Sequence, residues 1–418
     1  MKKYYTRACN FYYGQNSLNK VKKNLALPIC DNKYISFDTI EIITRETKKK
    51  INIKNIKFQS KFLKSKIEKD LNLITKKKRF KKLNLSKNPI LMGVVNLTPD
   101  SFSDGGKYNK RNLGFTHAKK LLEKGCKILD ICGESTRPGS NTVKKEIEWK
   151  RINQTLKQLK KLKKFVSIDT RKSWIMKKAV QQKISLINDV SGLTYDKYSI
   201  DILKKFQTPF VLHHMKGNPK NMQKYPKYKN VLLDIYDFFE NKLKKLRHIG
   251  IKHNNIILDP GIGFGKKLIH NITLIRNISI FHSLGFPIML GISRKRFIKD
   301  LSGKNDSKDR IGGTISSSLF SMMQGVQILR VHDVNEVNQS IKIFKSEENE
   351  KEHIKNIKTT LLLEPANEEA MYMLINYEIK KSNYSEVKEL KENFLTICKS
   401  LCDKKDKIEQ SLKDIEVQ

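Results

Sequence analysis

The hydrophobic and polar positions of residues 86–345 alternate between two kinds of segment. Short runs of isoleucine, leucine and valine, typical of strands buried on both faces, are separated by longer segments with helical spacing. The strand-like runs are ILMGVVNL from 90, KILDICGE from 127, FVSID from 165, SLIND from 185, PFVLHHM from 209, NIILDPG from 255, PIMLGIS from 287 and ILRVHD from 328. Eight such units predict an α/β fold of the (β/α)8 TIM barrel type, which has ~250 residues. A doubly wound open sheet is the alternative, but the GxGxxG turn expected after its first strand is absent.

The segments on either side of this stretch have different compositions. Residues 1–85 are rich in lysine and combine short apolar patches with a basic helical run. We expect them to form a cap with a few strands on the side or bottom of the barrel. Residues 346–418 form a charged helical extension, and their segment EPANEEAMYMLINYEIKKSNYSEVKELKENFLTICKSL resembles one tetratricopeptide-like hairpin. An appended amphipathic helix pair is the alternative, because a single repeat cannot bury its own apolar face.

The charge of the chain is high but evenly distributed. Its 84 Lys+Arg and 42 Asp+Glu give a formal net charge of +42 over 418 residues, and only 13 of the basic residues are arginines. A protein specialised for nucleic acids more often clusters its basic residues on one face and uses arginine for paired contacts. The composition therefore predicts loose attraction to polyanions and indicates no specific nucleic-acid partner.

The sequence also bears on where the protein works. No apolar run approaches the ~20 residues of a membrane span, and the N-terminus has no apolar region of the signal-peptide type. The six cysteines include no CxxC pair and have no histidine companions at zinc spacing. We therefore expect a reduced, cytoplasmic protein with no membrane partner.

Polar side chains stand at the end of every predicted strand. In a (β/α)8 barrel these positions meet at one rim, where active sites of this fold assemble. In chain order the groups are Asn96, Glu134, Asp169, Asn188, the run from His213 to Met215, Asp259, the run from Ser293 to Lys295, and Arg330 with His332. Turn chemistry explains any one of them, but a polar group at all eight strand ends indicates a functional rim.

Two kinds of chemistry are present in this set. Arg137, Arg330 and His332 supply donors suited to a phosphate or diphosphate, and Arg330 and His332 share a face because they are two apart on a strand. Asn96 offers a neutral oxygen that can complete a Mg2+ shell otherwise filled by phosphate and water. The remaining candidates suit a flat heterocycle with an amino-pyrimidinone edge, because they combine acceptors, an amide and a donor: Asp169, Asn188, Asp259 and Lys295.

Several segments between about 89 and 345 together resemble the successive motifs of the dihydropteroate synthase family. They are GVVNLTPDSFSDGG, DICGESTRPGS, SIDT, LINDVSGL, HHMKGNP, LDPGIGFGK, GISRKRF and RVHDV. The resemblance implies a transferase that joins 6-hydroxymethyl-7,8-dihydropterin diphosphate to 4-aminobenzoate, giving 7,8-dihydropteroate and diphosphate in folate synthesis. It also implies Mg2+ as cofactor and a homodimer as the assembly.

The resemblance assigns roles to residues by motif position. The substrate-binding residues that it implies are Thr136, Arg137, Pro138, Asp169, Asn188, Met215, Asp259, Phe264, Gly291, Lys295, Arg330 and His332. The catalytic residues that it implies are Asp169, Lys295, Arg330, His332 and Arg137, and the metal ligand is Asn96. The loops 97–107 and 135–142 would close over the aminobenzoate.

The chain departs from the family pattern at three positions. Cys132 stands where many members carry glycine, Arg296 follows the SRK motif, and His213 makes a double histidine. We expect Cys132 to pack as a small apolar side chain and Arg296 to add charge at the mouth of the aminobenzoate site.

Two other functions remain as alternatives. A pterin-binding methyltransferase shares the barrel and the heterocycle site, although a methyl donor brings no diphosphate for the basic residues to bind. A basic nucleic-acid-binding protein on a degenerate barrel is the other, and the intact polar rim argues against it.

Overall fold

A computed structural model describes residues 3–80, 83–86, 89–98, 112–137 and 139–416, with the side chains of 347–353 and 413–416 not described. Its contacts separate the chain into two compact units. One comprises Met1–Tyr13 and Ser17–Lys342, and the other Gly14–Asn16 and Ile343–Gln418.

The N-terminal segment forms a small antiparallel sheet with one packed helix. Its elements are β1 (Tyr5–Tyr13), α1 (Gly14–Lys22), β2 (Leu27–Ile29), β3 (Asn32–Ile43), β4 (Lys48–Asn52), a 3-10 helix (Ile53–Phe58), α2 (Lys61–Thr75), β5 (Arg79–Phe80) and β6 (Leu83–Asn84). Strand β3 is central, because β1 pairs along one edge while β2 and β4 share the other. Ile67 and Ile74 of α2 pack into the apolar layer of this sheet with Phe37 and Ile40.

Eight parallel strands follow, as the sequence predicts. They are β7 (Ile90–Asn96), β8 (Ile128–Cys132), β9 (Phe165–Asp169), β10 (Leu186–Asp189), β11 (Phe210–His213), β12 (Ile256–Asp259), β13 (Met289–Gly291) and β14 (Ile328–Val331). Each strand from β7 to β12 pairs with the next in sequence, and β14 lies between β7 and β13. A bridge between Leu258 and Ile288 joins β12 to β13 and closes the ring. The predicted (β/α)8 barrel is therefore confirmed.

Helices separate the strands along the chain, and the last of them continues from the first compact unit into the second. They are α3 (Leu113–Glu123), α4 (Lys145–Lys160), α5 (Ser173–Gln181), α6 (Ser199–Phe206), α7 (Val231–His248), α8 (Leu268–Arg276), α9 (Arg296–Ser302), α10 (Ile311–Met323) and α11 (Val334–Leu363), with 3-10 helices at His253–Asn255, Ile278–Leu284 and Lys308–Arg310. Asn230 lies immediately before α7, and its side chain accepts a hydrogen bond from Leu233 N at 3.2 Å. The last turn of α7 carries Lys245 and Arg247, whose positive charges interact favourably with the negative carboxyl end of the helix dipole.

The N-terminal end of the barrel is filled with apolar side chains. Phe80 and Leu85, from the β5–β6 hairpin, pack against the first inward residues of the strands. Those residues are Ile90, Met92, Ile128, Leu186, Val211, Ile257, Met289 and Ile328. The polar interior positions lie two or four residues further along the strands, so they belong to the C-terminal end of the barrel.

The second unit is helical and has an apolar core of its own. Beyond the end of α11 it contains α12 (Glu368–Lys380), α13 (Tyr384–Ile397), a 3-10 helix (Cys402–Lys404) and α14 (Lys405–Glu416). The core includes Leu374, Ile375, Val387, Phe394 and Ile408, contributed by all three of the later helices. Helices α12 and α13 share this apolar core, whereas the tetratricopeptide-like hairpin and the domain limits at 85/86 and 345/346 stay predictions.

A disulfide joins Cys398 to Cys402, whereas the sequence led us to expect only reduced cysteines. The spacing of four residues across the end of α13 brings the two Cα atoms to 5.4 Å, within the range that a disulfide spans. Cys9, Cys30, Cys126 and Cys132 are free and buried. Among the described helices, none combines the length and the apolar character needed to cross a membrane.

Candidate active site

The register of the parallel strands brings the predicted heterocycle-binding residues together. Asp169 ends β9 and is paired with Cys132 of β8 on one side and with Asn188 of β10 on the other. Asp169 and Asn188 are buried, at 4% and 1% exposure. Since every second residue of a strand faces the same side, Asp130 joins Cys132 on the inner face of β8.

Arg330 of β14 is the centre of a buried polar cluster. Its Nε donates to Asp130 Oδ2 at 2.7 Å, and its Nη2 donates to Asp169 Oδ2 at 2.9 Å. Asn188 Nδ2 also donates to Asp130 Oδ2, at 3.0 Å. One guanidinium therefore holds two carboxylates, and an amide is bonded to one of them. Burial opposes the charge of Arg330, but Asp130, Cys132 and Asp169 outweigh it and raise the pKa of the guanidinium.

Burial sets the protonation of Asp169. It raises the pKa of this carboxyl group to about 7, against the opposing charge of Arg330 and with the support of Asp130. Asp169 therefore changes charge near neutral pH.

Three acceptors in this cluster have no partner among the described residues. They are Asp130 Oδ1, Asp169 Oδ1 and Asn188 Oδ1, and all three are buried. A buried acceptor without a hydrogen bond costs roughly 1–3 kcal/mol, so such atoms are normally satisfied by a ligand or by water. Three of them on adjacent strands form a receptor for a planar molecule that carries several N–H groups.

Asp130, Cys132 and Asp169 also place their possible metal-ligating atoms within 4.8 Å of one another. Arg330 contacts all three, since its Nη2 also donates to Cys132 Sγ at 3.2 Å. The guanidinium therefore takes the place that a cation would occupy between these ligands.

Lys295 lies on the opposite side of the barrel mouth, half-buried at the start of α9. Its ammonium donates to Ile262 O and lies 4.6 Å from the ring centroid of Phe264. Burial lowers the pKa of Lys295 to about 8, opposed by Asp259 and reinforced by Arg330. A Cβ added at Gly291 would lie 3.7 Å from Lys295 Nζ and 3.8 Å from Arg330 Cδ, so glycine leaves room between the two cations.

Asp259 and the loop that follows it support this side of the site. Asp259 Oδ1 accepts from Gly261 N at 2.8 Å, and burial raises the pKa of the carboxyl group while Lys295 lowers it. Gly261 has a φ of +71°, and a Cβ there would lie 2.0 Å from His214 O. Only glycine fits such a position, which fixes the path of the chain toward Phe264.

His332 follows β14 and faces Ser293. Ser293 Oγ lies 3.1 Å from His332 Nδ1 and accepts from His332 N at 3.2 Å. Burial, followed by the charges of Arg330 and Arg294, holds the pKa of His332 well below its usual value. Arg294 is itself paired with Asp333 through its Nε at 2.9 Å. His332 is therefore a neutral imidazole among cations.

The loop after β8 carries Thr136 and Arg137, which are both half-buried. The Ser140 hydroxyl lies 2.7 Å from Ser135 O and 2.8 Å from Arg137 O, so it can donate to either carbonyl oxygen. These contacts hold the described part of the loop in a compact turn. Pro138 and residues 99–111, which include most of the predicted 97–107 loop, lie outside the described residues.

Glu134 has a structural role that differs from its place in the predicted rim. Its carboxylate accepts from Arg171 Nη2 at 2.9 Å, from Lys172 Nζ at 2.8 Å and from Val143 N at 2.8 Å. Burial opposes the charge, but Lys172, Val143 N and Arg171 lower the pKa of Glu134. Glu134 therefore anchors the far end of the loop that carries Arg137.

The remaining predicted residues lie at the same end of the barrel with fewer contacts to the cluster. Asn96 ends β7, half-buried and paired in register with Cys132. Met215 lies two residues beyond β11, also half-buried. Neither Thr136 nor Met215 has a hydrogen bond to another site residue among those described.

Two site residues, Asp130 and Cys132, were not predicted to take part, and a third, His213, was predicted only as part of the polar rim. Asp130 stands inside an apolar strand rather than at its end, and its charge in KILDIC was the available signal. Cys132 was expected to pack as an apolar residue, which is wrong because its thiol donates to Asp169 Oδ2 at 3.5 Å and accepts from Arg330. The ring of His213 stands edge-on to Phe264, with 4.6 Å between centroids, so it orients the aromatic ring beside Lys295.

A closed (β/α)8 barrel with a buried receptor for a donor-rich heterocycle defines a class of protein, and sequence comparison gives the same class. The family described as pterin binding enzyme matches residues 92–332, more than half of the chain. The chain therefore belongs to the pterin-binding enzymes. Within that class its relatives are dihydropteroate synthases, and it is a transferase of that kind.

Two curated relatives illustrate the similarity. The chain is 40% identical over 264 residues to the dihydropteroate synthase of Neisseria meningitidis serogroup B, covering 62% of this chain and 92% of that protein. It is 35% identical over 272 residues to the dihydropteroate synthase of Escherichia coli, covering 65% and 95%.

Solved structures agree with this result. The Yersinia pestis dihydropteroate synthase with a sulfonamide drug complex has a TM-score of 0.61 at 36% identity, over 63% of this chain and 95% of that one. The Xanthomonas albilineans dihydropteroate synthase with 4-aminobenzoic acid has a TM-score of 0.59 at 34% identity, over 64% and 95%. The match to dihydropteroate synthases favours this activity over the methyltransferase alternative.

Proposed function

We propose that the chain condenses 6-hydroxymethyl-7,8-dihydropterin diphosphate with 4-aminobenzoate, giving 7,8-dihydropteroate and diphosphate in folate synthesis. The observation that carries the proposal is the set of three unpartnered buried acceptors on β8, β9 and β10, beside the cations Arg330 and Lys295. An amino-pyrimidinone supplies the N–H donors that these acceptors lack. The family match to dihydropteroate synthases supports the same reaction.

The pterin would bind across the mouth of the barrel. Asp169 and Asn188 accept its N–H groups, and Asp259 accepts with the oxygen that Gly261 N does not use. Lys295, charged below about pH 8, donates to the carbonyl oxygen of the ring. Because these groups are held by strands rather than by loops, the site is organised before the substrate arrives.

The diphosphate would lie against Arg330, His332 and Arg137. The guanidinium groups neutralise negative charge, and His332, which stays neutral, contributes a hydrogen bond without adding charge. As the reaction proceeds, the C–O bond to the diphosphate breaks and its electron pair goes to the leaving oxygen. These donors stabilise the charge that develops there.

The carbon that loses the diphosphate becomes positive and is conjugated with the pterin ring. The carboxylate of Asp169 stabilises this charge, and the aromatic amine attacks the carbon with its lone pair. The proton released from the amine goes to solvent. An aromatic amine is unprotonated at neutral pH, so the step requires no general base. Phe264, held by His213 and Lys295, gives the aminobenzoate ring an apolar face.

The residues present fit a Mg2+ ion that arrives with the diphosphate. Asn96 offers a neutral carboxamide oxygen at the end of β7, a ligand type suited to a hard cation, and Arg330 already compensates the acidic groups nearby. Asn96 would hold the ion together with phosphate and water oxygens, and the ion would supply further charge neutralisation to the leaving group. A homodimer and a cytoplasmic location belong to the same proposal and follow from the family resemblance.

Release of diphosphate tests the proposed function. The purified full-length chain is incubated with the pterin diphosphate, 4-aminobenzoate and Mg2+, and both diphosphate and dihydropteroate are quantified. We expect equal amounts of the two products and no dihydropteroate when any component is omitted. Diphosphate release without formation of dihydropteroate would show a hydrolase, and absence of both products in the folded protein would contradict the proposal.

A further inference from the structure

A cavity of about 400 Å³ lies at the N-terminal end of the barrel, opposite the active site. Its lining consists of residues 76–79, between α2 and β5, together with His253, Asn254, Gly285 and Pro287 of the barrel. His253 and Asn254 precede β12, and Pro287 precedes β13, so the cavity joins the N-terminal segment to the base of the barrel. We call it the basal pocket. Its volume lies within the ~300–1,000 Å³ that small-molecule sites occupy.

The lining of the basal pocket is strongly positive. Residues 76–79 are three lysines followed by an arginine, and no Asp or Glu is part of the lining. Among the described residues, the carboxylate contact to this run is that of Lys77 Nζ with Asp31 Oδ2, which is 3.8 Å long, with both side chains about half-exposed. A contact of this kind compensates little charge.

Lys78 is a buried cation in the lining of the basal pocket. Its side chain is buried, with 4% exposure, and its ammonium donates to Leu73 O in the last turn of α2. Within the described part of the chain, no carboxylate lies within ion-pair distance of it. The neighbouring Cys30 supplies no negative charge at pH 7, because burial raises the pKa of its thiol to about 11. A buried ammonium without a counter-charge is costly, and an anion in the pocket would offset that cost.

His253 lies in the same positively charged surroundings. Its ring stacks on Phe286, with 4.0 Å between centroids, and its Nε2 lies 3.1 Å from Gly285 O. Burial lowers the pKa of His253, and after it the charges of Arg247, Lys78 and Lys76 lower the pKa further, against the hydrogen bond to Gly285 O. The imidazole is therefore held neutral by burial first and by the neighbouring cations second.

We propose that the basal pocket binds a phosphate group, either free or carried by a small metabolite. Phosphate matches the pocket better than a carboxylate does, because a phosphate monoester carries about −1.5 to −2 at pH 7 and the lining supplies several cations. The bound group would connect the end of α2 to the base of the barrel. This site is separate from the proposed catalytic residues, so the inference does not depend on the proposed function.

Local amide hydrogen exchange in the full-length protein tests the proposal. Inorganic phosphate and a nucleoside monophosphate are titrated separately at constant ionic strength, with chloride replaced by the ligand. We expect saturable protection of amides in residues 73–80 and 253–257. Tighter protection by the nucleotide would identify a phosphorylated metabolite, and equal protection would identify free phosphate. Because the readout is local, binding of phosphate at the active site does not interfere.

Matched double variants identify the source of the protection. Lys76→Ala with Lys77→Ala removes two exposed pocket charges, and Lys157→Ala with Lys160→Ala removes two exposed charges from the outside of α4. We expect the pocket pair to raise the half-saturating concentration about tenfold or more, the α4 pair to leave it unchanged, and both to retain basal activity. No local protection in the wild type, or the same half-saturation in the two double variants, would overturn the proposal.

Discussion

At the scale of single residues, one donor group, the guanidinium of Arg330, holds several acceptors of the site in place. Arg330 supplies bonds to Asp130, Asp169 and Cys132, so each of these groups constrains the others. The thiol of Cys132 is the weakest member of this cluster, because a thiol is a weak donor and a weak acceptor. Its contribution to the reaction can therefore be separated from that of the charged groups.

Replacing Cys132 with alanine should reduce kcat/KM by about three- to tenfold. The substitution removes one hydrogen bond from Asp169 and one from Arg330, which together are worth about 1 kcal/mol because a thiol is a weak donor and acceptor. Steady-state kinetics of the two-substrate reaction provides the measurement. Cys126→Ala is the matched control, because Cys126 is equally buried but has no contact with the cluster. Equal effects of the two substitutions on kcat/KM would contradict a role for the Cys132 thiol.

The pH dependence of kcat/KM should be bell-shaped and narrow. Asp169 has a raised pKa of about 7, so its carboxylate forms only as the pH rises through that value. Lys295 has a lowered pKa of about 8, so its charge is lost as the pH rises further. Activity should therefore increase through about pH 7 and decrease through about pH 8.

Lys295→Arg identifies the upper limb of this profile. An arginine keeps its charge, so the decrease near pH 8 should move to higher pH even if the maximal rate is lower. Lys299→Arg, an exposed change on the same helix, should leave the profile unchanged. A decrease that stays near pH 8 in Lys295→Arg would show that another group causes it.

At the scale of strands and loops, the barrel positions its chemistry through short connections. The loop after β12 turns sharply at Gly261 and returns past Lys295, and Gln223 Nε2 donates to Gly263 O at 2.7 Å. The position of Phe264 therefore depends on whether the backbone of this loop can follow this path.

Gly261→Ala should decrease kcat/KM by about a hundredfold. The new Cβ would meet His214 O at 2.0 Å, so the loop must shift by about 1 Å, and displacements of that size near a reacting centre have effects of about a hundredfold. Gly303→Ala is the control, because Gly303 has the same φ of +71° but open space around it. It should lower the midpoint of thermal unfolding without changing kcat/KM. Similar kinetics for the two variants would contradict the positional role of Gly261.

The extent to which the sequence predicted the structure follows from these elements. The eight strands were visible because parallel strands buried on both faces leave uninterrupted apolar runs, and the rim residues were visible because each follows such a run. Asp130 was not predicted because it lies inside β8, one layer deeper in the barrel, whereas the prediction considered only polar residues at the ends of strands. The contacts of Cys132 and the Cys398–Cys402 disulfide depend on three-dimensional neighbours that no local pattern specifies.

At the scale of the whole molecule, the proposed catalytic residues all belong to one of the two compact units. The other unit has a core built from its own helices, and the match to the pterin-binding enzymes ends at residue 332. By contrast, Phe80 and Leu85 of the N-terminal segment are part of the apolar layer inside the barrel. The two ends of the chain should therefore respond differently to deletion.

Deleting residues 346–418 should leave kcat and KM unchanged within about twofold, since no residue of the site lies there. Circular dichroism and the two-substrate assay of the truncated chain provide the measurement. Phe80→Ala, by comparison, should reduce the stability of the barrel by ~3–5 kcal/mol, because it empties a fully buried aromatic position. A truncated protein that folds but has lost its activity would show that the C-terminal unit contributes to catalysis.

We propose that the buried cluster around Arg330 performs the transfer reaction, and the substitution Asp169→Asn tests this assignment. The change keeps the size of the side chain and an acceptor oxygen but removes the charge that stabilises the pterin carbon. Single-turnover formation of dihydropteroate should slow by at least about a hundredfold in Asp169→Asn, while the circular dichroism stays unchanged. The control is Asp309→Asn, a substitution at an exposed position, which should leave the rate unchanged. A rate within a few fold of the wild type in folded Asp169→Asn would contradict the assignment of the active site.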